Sequence, residues 1–99
     1  MSQEKQPIHM AQEEELKIIA CSDAPFEERL NAIRRITTSS ILLRCVWGSN
    51  DIQIKHAAIA RMDDPEDLRM LMAQTQDPNT RSKIQLRMRE LYKKQGIII

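Results

Sequence analysis

Ninety-nine residues, 41% of them hydrophobic and 29% charged, suffice for one domain with one modest core. Two glycines and four prolines are too few turn residues for an all-β or loop-rich chain. The net charge of +1 selects neither nucleic acid nor a membrane surface.

Taken in chain order, residues 1–8 read as a flexible N-terminal tail and 9–99 as a single helical domain. Helices are expected at about 9–22, 25–38, 40–47, 50–62, 65–76 and 78–95, from their start and stop signals. Asp23-Ala24-Pro25, Asp63-Asp64-Pro65 and Asp77-Pro78 each set a capping acid before a proline at a first-turn position. Ser39-Ser40 and Ser49-Asn50-Asp51 are further caps, and Gly48 and Gly96 stand where helix-terminating glycines stand. Connections of two or three residues make neighbouring helices antiparallel. With one Trp, one Tyr and one Phe, the core falls to Ile, Leu, Met and Ala, and Met fills irregular gaps.

The helices repeat with a period of 26. Under that shift Leu16, Leu42 and Leu68 coincide, as do Ile19, Cys45 and Leu71. Arg29, Lys55 and Arg81 form a basic column, and Arg35, Arg61 and Arg87 form a second, followed at once by Ile36, Met62 and Met88. Five matching columns in three copies imply hairpins that cannot bury their apolar faces alone and so share a core by stacking.

The stretch Ile54-Lys55-His56-Ala57-Ala58-Ile59-Ala60-Arg61-Met62, with Asp51 ahead of it, resembles the second helix of a bacterial HEAT-like repeat. That pattern is an aspartate-rich turn, a Val-Arg pair, Ala-Ala and a closing hydrophobe. Asp63-Asp64-Pro65-Glu66-Asp67-Leu68 resembles the link to the next repeat. The third copy keeps Asp77, Arg81 and Met88 but has Thr80 and Lys83 where the family prefers Val and Ala; the first has Glu28 for Val. The resemblance covers roughly 15–95. It implies an all-α fold of antiparallel hairpins stacked right-handedly as a short HEAT-like α-solenoid, about six helices in three repeats. Their first helices are short, because HEAT and armadillo units usually run to about 40–47 residues.

Two readings stand for each basic column. Arg29, Lys55 and Arg81 either brace successive repeats against turn acids, Asp51 and Asp77 lying four residues before Lys55 and Arg81, or touch a ligand. Arg35, Arg61 and Arg87 form either a solvated face or a ridge for an acidic peptide or nucleic-acid phosphates. Trp47, just before Gly48, either caps the core or anchors an interface. The charge is uneven: residues 1–30 hold seven acids and three bases, residues 78–99 six bases and one acid. That asymmetry suits a homodimer. Ile97-Ile98-Ile99 is expected to fold back over the last hairpin, dock on a second subunit, or add a strand to a partner's sheet.

No site for catalysis, a cofactor or a metal is expected. His9, His56, Cys21 and Cys45 show no ligand-pair spacing, and Glu13-Glu14-Glu15 point about 100° apart around a helix. The two cysteines read as reduced core thiols of a cytoplasmic protein. Neither a signal peptide nor a membrane-spanning run is visible. The expected function is a non-enzymatic protein-interaction or scaffold module. Nucleic-acid binding through the basic last helix, residues 81–94, is the alternative.

Overall fold

The computed structural model describes residues 5–96, with side chains from residue 12 onward. The described chain is all-α: α1 (Lys5–Ala20), α2 (Phe26–Arg35), α3 (Ser39–Gly48), α4 (Ile52–Arg61), α5 (Pro65–Gln74) and α6 (Pro78–Lys94). α1 begins at Lys5, inside the stretch expected as a tail; residues 1–4 lie outside the described residues, as does the Ile97-Ile98-Ile99 segment. Pro7 falls in its first turn, where a missing N–H costs little. α1 stops at Ala20, two residues short of expectation. Ser22 explains the stop: its hydroxyl donates to the Ile19 carbonyl at 2.7 Å and accepts from the Ala24 N–H at 3.1 Å, replacing the helical ladder.

Three expected acids cap as predicted. Asp51 accepts from the Gln53 N–H, Asp64 from the Glu66 N–H and Asp77 from the Thr80 N–H. Pro65 and Pro78 occupy the first turns of α5 and α6. α2 differs. Pro25 is itself the N-cap, without a side-chain bond, and Asp23 does not cap. The glycines also divide. Gly96, with φ +79°, ends α6 in the left-handed region. Gly48 does not adopt it; a Cβ there would stand 3.1 Å from the Cys21 Sγ, so the position is small because Cys21 packs on it.

Each odd helix packs on the even helix after it, giving three hairpins. α3 touches both α1 and α5, and α4 touches both α2 and α6, so the hairpins follow one another in two layers. The molecule measures 43 × 33 × 21 Å, and its radius of gyration of 14.1 Å exceeds the ~13 Å of a compact chain this long. The core runs through the stack: Leu16, Leu42 and Leu68 are buried, as are Ile33 with Ile59, and Ile36 with Met62. Burying each such side chain contributes roughly 1.5–3 kcal/mol. The column of Ile19, Cys45 and Leu71 shows the end effect. Cys45 and Leu71 are buried, whereas Ile19, on the first hairpin, is 40% exposed.

Candidate functional site

The second basic column is built into the joints between hairpins. Arg61, at the end of α4, donates through Nε and Nη2 to the Ile36 carbonyl at 3.2 and 2.9 Å. Arg87, on α6, donates through Nε to the Met62 carbonyl at 2.7 Å. Ile36 and Met62 are the C-cap residues of α2 and α4. Each arginine therefore supplies a cation and donors to a helix end left with orphan carbonyls and a negative dipole. Arg87 also pairs with Glu90 at 3.3 Å. Arg35, the counterpart on the first hairpin, is exposed, and its side chain makes no hydrogen bond among the described residues. Ile36 and Met62 are fully buried, so Arg61→Ala and Arg87→Ala should each cost about 1.5–3 kcal/mol, the range for a hydrogen bond to a charged group, while Arg35→Ala should stay within about 0.5 kcal/mol. Urea unfolding of the three variants measures this; equal losses at all three would contradict the bracing geometry.

The first column divides. Arg29 donates through Nε to the Ala24 carbonyl at 2.8 Å and pairs with Asp51 of the next hairpin at 3.1 Å, its guanidinium 5.8 Å from the Phe26 ring centroid. Arg81 donates to the Met72 and Thr75 carbonyls at 3.0 and 2.9 Å, closing the end of α5. Lys55 is half-buried and reaches Asp77 only through the longer-range field. The acid–base contact thus runs between hairpins, Asp51 to Arg29, rather than along one helix from Asp51 to Lys55. The Gln53 amide, and after it Arg29, hold the Asp51 carboxyl below its usual value.

A third joint element came from a residue read only as one of three consecutive acids. Glu13 is 1% exposed. Its carboxylate accepts from the Thr37 and Thr38 N–H groups and, at 2.7 Å, from the Thr37 hydroxyl. Thr38 is the N-cap of α3 and makes no side-chain cap bond, so Glu13 caps that helix from α1. Burial alone would raise this carboxyl; the bonds from Thr37 and Thr38 outweigh it and hold Glu13 low. Ser39 takes the same place one repeat later, its hydroxyl accepting from the Asp64 N–H at 3.3 Å. The 26-residue register aligns Glu13 with Ser39, two residue types that bond backbone N–H groups, and that alignment was the available signal.

His56 belongs to a similar contact. The Thr80 hydroxyl donates to Asp77 at 2.8 Å, so the Nε2–H of His56 donates to Thr80 Oγ1 at 3.1 Å. Burial, with Lys83 and Lys55 nearby, lowers the His56 pKa and outweighs Asp77. Cys45 is buried and Cys21 half-buried, both as free thiols. Burial and the adjacent Cys21 push the Cys45 thiol up to about 12, a poor nucleophile at neutral pH.

The surface carries shallow grooves. One of about 560 Å³ brings Arg61, Arg87 and Lys94 together beside Thr37 and Asp63. Another, about 310 Å³, lies between the second and third hairpins and places Trp47 and Ile52 with Lys55 and Asp77. Trp47 is not a core cap: it is 48% exposed, like Ile52 beside it. Arg29 lines a separate groove with Asp23 and Asp51. The seven candidate residues therefore do not converge on one site: Arg61 and Arg87 share one groove, Trp47 and Lys55 another, and Arg29 lines a third. Among the described residues no three His, Cys, Asp or Glu side chains come together as a metal site, and no helix is long and apolar enough to cross a membrane. Comparison with known proteins gives no match: no family model, curated protein or solved structure matches the chain.

Proposed function

We propose that this chain is a non-enzymatic protein-interaction module of HEAT-like type, a short right-handed solenoid of three hairpins that presents the outward face of its odd-numbered helices to a protein partner. The observation that carries the reading is an exposed apolar strip. Ile18, 62% exposed, and Met70, 47% exposed, hold matching positions on α1 and α5 in the 26-residue register, with Arg44 between them on α3. Trp47 follows Arg44 by one helical turn, and the Glu14–Arg44 ion pair at 2.6 Å ties α1 to α3 across this face. Trp, Met and Arg are the residue types enriched at protein interfaces. The basic columns support the same reading indirectly, because Arg29, Arg61, Arg81 and Arg87 hold main-chain carbonyls and have fewer donors left for phosphates. The free thiols fit a reducing, cytoplasmic setting.

Immobilised protein in cell lysate tests this. A protein retained after nuclease treatment, and lost with Trp47→Ala, is the expected result. Recovery that nuclease removes and Trp47→Ala leaves unchanged would transfer the function to nucleic-acid binding. One observation favours that second reading: Lys83, Arg89, Lys93 and Lys94 are exposed on α6 and form no ion pair among the described residues. A complex made by them should weaken steeply with salt. The aromatics needed for base stacking are not interleaved with them, since Trp47 lies on α3 and Tyr92 is half-buried beside Arg69.

A further inference from the structure

The 26-residue register shows what the two ends of the stack have in place of a neighbour. On the first hairpin, Glu15 and Glu28 are exposed where the second hairpin buries Ile41 and Ile54. On the third, Arg69 is exposed where the second buries Leu43, and Gln85 where the first two bury Ile33 and Ile59. Arg89 lies one turn beyond Gln85, and Arg69 donates to the Tyr92 hydroxyl at 3.2 Å, which joins α5 and α6 on this face. Polar substitution at such positions is how terminal repeats stay soluble. Here the two substitutions carry opposite charge. On the first face, among the described residues, the carboxylates of Glu15 and Glu28 outnumber Arg35. On the last, Arg69 is offset in part by its pairing with Glu66, and Arg89 is unpaired among the described residues. Both faces keep apolar surface: Ile19 at one end, the half-buried Met72 and Met88 at the other.

We propose that a second copy of this chain docks end to end, the Glu15/Glu28 face of its first hairpin on the Arg69/Arg89 face of the third. The contact is heterologous. Each copy that has used one face still offers the other, so association continues as an open chain rather than closing at a dimer. Opposite charges steer the encounter and set the polarity, and the apolar residues at each face add contact area. Trp47 takes no part, so this inference stands independently of the partner surface described above.

Sedimentation velocity on the full chain across a concentration series tests it. At low salt the weight-average mass should climb with concentration past that of a dimer. Near 1 M salt, where the screening length is about 3 Å, it should return to the monomer mass of 11.5 kDa. Glu28→Lys and Arg89→Glu, both at exposed positions, should each remain monomeric at low salt with an unchanged helical circular-dichroism spectrum. An equimolar mixture of the two should associate again, because the reversed faces complement one another. A wild-type monomer at every concentration, a species that stops at two copies, single variants that still associate, or a mixture that stays monomeric would each overturn the proposal.

Discussion

Replacing Glu13 by alanine should destabilise the fold by about 2–4 kcal/mol, and so lower Tm by on the order of 10–20 °C, because it strips the cap from α3 and empties the place of a buried side chain. The Thr37 and Thr38 N–H groups and the Thr37 hydroxyl converge on this one carboxylate. A bond to a charged group contributes about 1.5–3 kcal/mol, and water can take over only part of what the carboxylate gives to the exposed Thr37 and the half-buried Thr38. The expected loss is a large share of the roughly 5–15 kcal/mol that holds a domain together. Glu13→Gln keeps the shape and one acceptor oxygen but turns an amide NH₂ toward donors, so it should recover less than half of the loss. A thermal melt of Glu13→Ala within about 1 kcal/mol of wild type would remove Glu13 from the joint.

The pH dependence has a definite sign. Glu13 is held below its ordinary value in the folded chain, so its contribution is complete above the unfolded carboxyl pKa of about 4.3 and is lost as pH falls through the lower, folded value. Asp51 and Asp77 act in the same direction. Asp67 opposes them. Burial, with Asp64, Asp63 and Glu66 nearby, raises its carboxyl and outweighs its hydrogen bond with Ser39, so acid relieves rather than weakens the fold there. Stability should therefore fall below pH 4, and less steeply in Glu13→Gln than in wild type.

The second large effect lies in the leucine column. Leu42→Ala should cost about 3–5 kcal/mol and Leu16→Ala about 2 kcal/mol, with Leu68→Ala between them. Leu42 is fully buried on α3, which touches α1 on one side and α5 on the other. The structure around it is held from both directions and cannot collapse into the cavity. Leu16 is 8% exposed on a helix with a hairpin on one side only, so its neighbours and solvent can relax into the space. Urea unfolding of the three variants gives the order. A Leu16 loss equal to that of Leu42 would mean that α1 is held as firmly as α3.

Where a helix began with an Asp beside a proline, as at Asp64-Pro65 and Asp77-Pro78, its start was legible in the sequence, because the cap bond is made within three residues of the acid. The period of 26 was legible for the same reason: hairpins that stack in series need the same residue type at the same place. The contacts between hairpins were harder to read. Arg61 and Arg87 stood out as a column, but the groups they hold are main-chain carbonyls 25 residues earlier, and carbonyls leave no mark in a sequence. Glu13 stood in the sequence only as one of three consecutive acids, because two of its three donors, too, belong to the backbone, and Gly48, where α3 does end, owes its smallness to Cys21. Exposure also depends on which hairpin a residue belongs to. Ile19 and Leu71 hold the same repeat position, yet only Leu71 is buried.

Amide hydrogen exchange, resolved residue by residue under native conditions, tests most directly the claim that the hairpins stabilise one another in series. α3 and α4 are covered on both sides and should contain the slowest amides, with protection decreasing toward α1 and toward the last turns of α6. Slowest exchange in the first or third hairpin, or equal protection across all six helices, would contradict a serial stack.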